Sequence, residues 1–249
     1  MAKGRVTDEL GNRLDAKTPY RAGACIFYYR ELLFEKKIPF IERVIYRDEH
    51  ILVADKPHFL PVNPAGQFLR ETLLVRLKKR ENLDNLVPLH RIDRETAGIV
   101  MFSLNPATRG AYASLFNDRK VTKVYEALAG HNPVLRFPLT RRSRITAGEP
   151  FFRMREVEGE PNSETRVELI ERKTDINLYR LNALTGKKHQ IRLHLSALGI
   201  SVINDKFYPK VCPNGEDDFP NPLKLLAKSI AFADPLTGWE RCFESDRKL

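Results

Sequence analysis

"PLHRIDRETAGIVMFSLN" (88–105) is the stretch on which the fold turns. Its second half, "GIVMFSLN" (98–105), has almost no polar interruption and reads as a central strand covered on both faces. Its first half seats one acid, Asp93, among His90, Arg91 and Arg94 at the entrance to that strand. An Asp among arginines is most often a surface ion pair. The alternative is a carboxylate kept charged for chemistry, because neighbouring guanidinium groups favour the ionised form.

Working outward, Asn105-Pro106 reads as an N-cap and first-turn proline opening a helix over 106–120. "VTKVYEALAG" (121–130) returns as a strand with Tyr125, Ala127 and Ala129 on one face. Upstream, Val44–Tyr46 and Ile51–Ala54 form a hairpin about the charged turn "RDEH", followed by an ordered proline loop and a helix in "LRETLLVRLKKR" (69–80). Downstream, 131–163 is rich in Pro, Gly and Arg and reads as loop with short β pieces. A hairpin over 164–184, a helix "KKHQIRLHLSALG" stopped by Gly199, and two strands about "DPLTG" complete the chain. Many strands and few helices without βαβ regularity predict an α+β fold, with a mixed, largely antiparallel sheet and flanking helices. Residues 1–40 differ in texture and are expected to form a small N-terminal β appendage, with "FEKKIPF" (34–40) as linker, ahead of a main domain over 41–249.

The chain of 249 residues carries 42 Lys and Arg against 32 Asp and Glu, a net charge of +10. The cations cluster in "VRLKKR" (75–80), "LTRRSRI" (139–145) and "TGKKHQIR" (185–192), which favours a polyanionic partner. Three scattered cysteines make neither a zinc knuckle nor a disulfide framework, and no run reaches the ~20 apolar residues of a membrane span. A cytoplasmic protein is expected. There is no Gly-rich phosphate loop, GxSxG or HExxH, so neither NTP-driven chemistry nor zinc hydrolysis has support. His189 and His194 lack a Cys or acid at ligand spacing. Lys187, Lys188 and His189 stand where a helix begins, a place that favours anions, so an anionic partner is implied there. A solvated basic face explains that segment as well. Tyr125 suits a core position, or a face on which a base could stack.

Together, "ILVADKPHFLPVNP", "LHRIDRETAGIVMFSLN", "KVYEALAG", "LTGKKHQIRLHLSALGISVINDKFY" and "AFADPLTGWE", in that order, resemble the RluA-like RNA pseudouridine synthases over about residues 41–243. The family pattern near the acid is close to H-R-L-D-R-x-T-S-G-L. The resemblance implies a pseudouridine synthase fold and isomerisation of specific uridines in ribosomal or transfer RNA. It makes Asp93 the catalytic aspartate, Tyr125 the residue packed on the uracil, Arg192 the partner of the acid, and Arg91 the side chain that enters the RNA as the base flips. His90, Arg94, Lys123, Lys187, Lys188, His189 and Gln190 are expected to join Arg91 in RNA binding. No metal, cofactor, nucleotide or membrane partner is expected, and a monomer is. Ala97 replaces the usual Ser, Asn63 stands where many members have His, and "LLAKSIAF" (225–232) replaces a common L-H-A, so Lys228 is expected to alter the RNA path. "GNRLDAKTPYRAGACI" (11–26) resembles the strand portion of an α-L RNA-binding module without its helices. Two other readings stand beside this one. One is a non-catalytic RNA-binding or ribosome-assembly protein on the same fold. The other is a glycosidic-bond hydrolase, which would need a second carboxylate such as Asp55 or Asp205.

Overall fold

The structure, a computed structural model, describes residues 6–28, 32, 34–172, 175–212 and 217–249. The chain divides into two units, Met1–Glu35 and Lys36–Leu249. In the first, β1 (Val6–Thr7) pairs antiparallel with β2 (Phe27–Tyr28).

The second unit is built on one mixed sheet. Its strands are β3 (Arg43–Arg47), β4 (Ile51–Lys56), β5 (Val87–Pro88), β6 (Ala97–Ser103), β7 (Thr122–Gly130), β8 (Leu139–Ala147), β9 (Met154–Val157), β10 (Ser163–Glu171), β11 (Ile176–Ala183), β12 (Leu225–Ala233) and β13 (Glu240–Glu244). They lie in the order β3-β4-β6-β12-β7-β11-β10-β8-β9, with β13 also on β12 and β5 on β6. The three helices among the described residues are α1 (Leu73–Glu81), α2 (Arg109–Asn117) and α3 (Gln190–Ala197). None is long and apolar enough to cross a membrane.

β6 is buried along its whole length, as its unbroken apolar run requires. Its alternate side chains enter two cores. Val100 and Phe102 join Leu52 and Ala54 of β4 under Leu73 and Leu77 of α1. Ile99 and Met101 join Ile51 and Val53 under Tyr112 and Leu115 of α2. A third core packs Ala127 and Ala129 of β7, with Tyr179 and Leu181 of β11, beneath Ile191 and Leu195 of α3. Truncating one of these leucines to Ala costs about 2–5 kcal/mol.

Among the described strands the one parallel pairing joins β12 to β6, through Leu226↔Ala97 and Ala227↔Gly98. Gly98 has φ +115°, and a Cβ there would lie 2.1 Å from the Ala227 carbonyl oxygen. Only glycine fits this crossing, which lies five residues beyond Asp93.

Three local expectations are corrected. Residues 36–40 are no linker: Ile38 is buried, its N–H donates to Glu71, and Arg76 of α1 donates to the carbonyls of Ile38 and Phe40. The main body therefore begins at Lys36. α2 starts at Arg109, three residues after Pro106, because Asn105 Oδ1 caps the N–H of Ala107 in a preceding turn. Residues 139–147 are a continuous nine-residue strand rather than loop with short β pieces, with Ser143 and Ile145 buried, Arg141 half-buried on their face against Glu156, and Arg142 and Arg144 exposed on the other.

Candidate active site

Asp93 sits just before β6, where the N–H of Thr96 donates back to its carbonyl and closes a turn. Neither sequence neighbour supplies its guanidinium. Arg94 turns away, donating to Asp217 (2.7 Å) and Glu95 (3.1 Å) and lying over the Phe68 ring. It does not line the cleft at Asp93: two carboxylates and a ring hold it to one side. Arg91 is exposed and lines the cleft.

The cation that meets Asp93 is Arg192, with Nη1 3.4 Å from Asp93 Oδ2. Arg192 projects from α3 and is 1% exposed. Its Nε and Nη2 donate to the two oxygens of Asp205 at 2.8 and 2.7 Å. Glu95 is 3.7 Å from Nη1, and the guanidinium plane lies over the ring of Phe207. Burial alone would lower the pKa of this arginine, but the bonds and charge of Asp205, with Asp93 and Glu95, outweigh that and hold it above the ordinary value. A bidentate carboxylate fixes the planar fork, so the remaining N–H is aimed at Asp93.

Beneath this pair, Lys56 is fully buried and donates to the carbonyls of Pro57, Leu60 and Arg94 at 2.8–3.0 Å. It ties the proline loop to the backbone next to Asp93. Burial pulls it down to about 7, against the opposing charges of Glu95 and Asp93.

The cleft above Asp93 has a volume of about 550 Å³. Tyr125 of β7 lines one wall, opposite Leu181 of β11 and Ala227 of β12 in the ladders. Burial, and then the charge of Asp93, raise its phenol's pKa, so it stays neutral. Lys123 lines the same wall, its Nζ 3.5 Å from the Thr185 carbonyl; burial and then Arg119 lower its pKa. Lys187 and Lys188 are exposed along the rim, in the turn before α3 rather than inside the helix.

Other expected contacts serve the frame. His90 Nε2 accepts from the N–H of Met101, and its ring stacks on Phe116. Burial, with the charge of Lys123, drops its pKa to about 3, so it is a neutral wall of the cleft. His189 adopts the left-handed conformation (φ 54°) and contacts Tyr208 Oη, with Nε2 4.0 Å from Asp93. Gln190 is spent internally on Thr185, the N–H of Lys187, Glu164 and Thr165. His194 is enclosed by Ser143, Ser163 and Thr165. Lys228 donates to the Ser245 carbonyl and pairs with Glu244, which anchors β13 and explains its place in the fold.

Sequence reasoning missed Glu95 and Arg119, and weighed Asp205 as a second acid for a hydrolase rather than as the partner of Arg192. Asp205 lies in "NDKFY", inside a block that carried the resemblance, and an acid there was the available signal. Its side chain is 0% exposed and committed to Arg192, so it offers no second acid to a hydrolase. Asp55 is likewise bonded to Arg247 and Ser245. Arg119 follows α2 in the left-handed conformation (φ 58°) and lines the cleft.

A family model described as RNA pseudouridylate synthase matches residues 50–197. This chain belongs to that family. Within it the chain is RluA-like: it is 30% identical over 214 residues to the dual-specificity RNA pseudouridine synthase RluA of Pasteurella multocida, covering 80% of this chain and 90% of that one. It is 32% identical over 178 residues to the human pseudouridylate synthase RPUSD2, covering 68% of this chain but 31% of that longer protein. Among solved structures it is similar to human RNA pseudouridylate synthase domain containing 1, with TM-score 0.68 and 26% identity over 85% of this chain and 86% of that one. The RluA-like chain is thus an isomerase that converts uridine to pseudouridine in RNA, and its mixed sheet is the pseudouridine synthase fold.

Proposed function

We propose that the chain isomerises uridines in ribosomal or transfer RNA, with Asp93 as the catalytic group and the target base flipped into the cleft. The observation that carries this is the 3.4 Å contact between Asp93 and a buried arginine whose other face is clamped by Asp205. A carboxylate so held can act on a sugar or base in three ways: as nucleophile on the ribose, as nucleophile on the ring, or as the base that takes a ribose proton. In each route the N-glycosidic bond breaks, the uracil turns, a bond forms between the ribose carbon and carbon 5, the hydrogen of carbon 5 leaves as a proton, and N1, freed from the ribose, takes up a proton. Atoms balance without redox change or net hydrolysis.

Flipping a base costs a few kcal/mol, less in a loop. Tyr125 supports the reading by offering a flat neutral wall, and the exposed Arg91 by standing where it could fill the vacated stack. Arg119, Lys123, Lys187 and Lys188 border the cleft with positive charge for the phosphates. A relative in yeast, 31% identical over 172 residues, is named a mitochondrial tRNA pseudouridine(32) synthase, and the bacterial RluA relatives are named dual-specificity enzymes. Both substrate classes are therefore put to the test.

The experiment is tritium release from RNA labelled at carbon 5 of uridine and taken from cells lacking the gene, with transfer and ribosomal fractions assayed separately. The expected result is release by the wild type and none by Asp93→Asn, with RNA affinity kept within about threefold. Turnover by Asp93→Asn would remove Asp93 from the chemistry. RNA binding without release by the wild type would favour the non-catalytic reading.

A further inference from the structure

Arg94 follows Asp93 in the chain, yet it is kept off that acid. Its Nη2 donates to Asp217 Oδ1 at 2.7 Å, its Nε donates to Glu95 Oε1 at 3.1 Å, and its guanidinium carbon stands 5.4 Å from the centre of the Phe68 ring. The remaining nitrogen, Nη1, is buried and has no partner among the described residues. A buried donor left unmet is costly, and the charge-assisted bonds to the two carboxylates offset that cost. Burial alone would lower the pKa of Arg94, but the bond to Asp217 and the charges of Glu95 and Asp217 raise it above the ordinary value.

Asp217 is itself firmly seated. Its side chain is 7% exposed and lies 3.8 Å from Lys36 Nζ. Two residues on, Phe219 meets Phe40 edge-on at 5.5 Å and Phe59 at 5.1 Å, and Lys36 Nζ stands over its ring at 4.9 Å. Phe59 belongs to the core beneath α1. The segment that carries Asp217 is thus pinned to that core at one point and to Arg94 at another.

The competing place for Arg94 is Asp93. Arg192 and His189 both approach Asp93 through Oδ2, at 3.4 and 4.0 Å, and Oδ1 has no partner among the described residues. A guanidinium does reach an acid next to it in this chain: Arg80 meets Glu81 at 3.0 Å, as Arg94 meets Glu95. Turned onto Asp93, Arg94 would satisfy its unmet N–H and cover the open oxygen. A carboxylate shared by two guanidinium groups is held more strongly in its charged form and is a weaker base.

We propose that Asp217 is a positioning residue for the reaction: it holds Arg94 off Asp93, so that Arg192 is the one guanidinium on the acid and Oδ1 stays open to the RNA. The proposal rests on the reading of Asp93 as the catalytic group. It adds a residue that does not line the cleft and acts only through Arg94.

The test is a double-mutant cycle of Asp217→Ala and Arg94→Gln, read by tritium release from the same carbon-5-labelled RNA, beside a crystal structure of Asp217→Ala. Asp217→Ala should lower kcat at least about tenfold, the shift in population that loss of one charge-assisted bond allows, with KM within about twofold. In the Arg94→Gln background the same change should alter kcat by less than about twofold, because the side chain that Asp217 restrains is gone. A merely structural Asp217 would give the same loss in both backgrounds. The crystal structure should show Arg94 turned onto Asp93. Wild-type kcat in Asp217→Ala would overturn the proposal, as would an equal loss in the Arg94→Gln background or an Arg94 still seated on Glu95 and Phe68. Asp217→Asn, which keeps the volume, replaces the alanine variant if that one does not fold. If the wild type binds RNA without releasing tritium, the Asp93 reading fails, and the crystal structure still decides whether Asp217 restrains Arg94.

Discussion

Asp205→Asn removes one charge from a site where four groups share one guanidinium. In the native protein Asp205 takes two bonds from Arg192, at 2.8 and 2.7 Å, and its Oδ1 also accepts the N–H groups of Phe207 and Tyr208. An asparagine oxygen can keep some of these, but its amide turns N–H toward N–H on the other arm of the fork. Breaking a buried ion pair costs about 3–5 kcal/mol. Asp93 and Glu95 still face Arg192, so the guanidinium is not stranded and the cost falls near the lower end, about 3 kcal/mol. For a unit of this size each kcal/mol moves Tm by about 2–4 °C, which gives a drop of about 6–12 °C. Released from its clamp, Arg192 moves toward Asp93 and Glu95, and a displacement near 1 Å costs on the order of a hundredfold in kcat. Scanning calorimetry and tritium release measure the two effects. Asp55→Asn is the control: Asp55 is equally buried but bonded to Arg247 and Ser245, so it should lower Tm and leave kcat alone. If Asp205→Asn melts and turns over like the wild type, Arg192 is not held as described and the argument for its role collapses.

His194 is 0% exposed, and burial, against the pull of Glu156 and with the push of Arg141, lowers its pKa from 6.5 to about 4. The unfolded chain takes up a proton below pH ~6.5 while the native imidazole stays neutral. Its stabilising contribution is therefore complete above pH ~6.5 and is lost as pH falls toward 4, amounting to about 3 kcal/mol. His194→Gln should flatten the dependence of the urea midpoint on pH in that window; an unchanged profile would count against a neutral buried imidazole. Gly98→Ala places a methyl 2.1 Å from the Ala227 oxygen at φ +115°, and should cost at least about 4 kcal/mol or leave the protein insoluble. A soluble variant with wild-type Tm would contradict the β6–β12 crossing.

The elements that the sequence made legible are those whose pattern is local. β6 follows from its unbroken apolar run, β7 from its alternation, and α1 from the helical spacing of its apolar residues. β8 was hidden because its buried face alternates small polar and aliphatic residues, Ser143 and Ile145, while arginines dominate the composition. At the site, Asp93, Tyr125 and Arg192 were named through resemblance, and the geometry brings the first and third into contact. What local reasoning misplaced was the source of the charge. Arg91 and Arg94 adjoin Asp93 in the chain, yet the partner is 99 residues away. Adjacent residues before a strand point in different directions, so proximity in sequence carries little information about contact. Glu95 explains the outcome for Arg94, because it stands between Arg94 and Arg192 and turns one carboxylate oxygen to each.

The sheet order β6-β12-β7 has a consequence for the chain as it leaves the ribosome. β6 and β7 are consecutive in the chain, but the strand that joins them in the sheet begins only at Leu225. Until that strand emerges, both face the cell with open edges, and the Asp93 turn and the Tyr125 wall have no common frame. Although β6 pairs with β4 and β7 with β11, each keeps one apolar edge open until then, the condition in which chaperones are recruited and edge pairing goes astray. The frame that joins the Asp93 turn to the Tyr125 wall is therefore completed only once the residues from Leu225 onward are made.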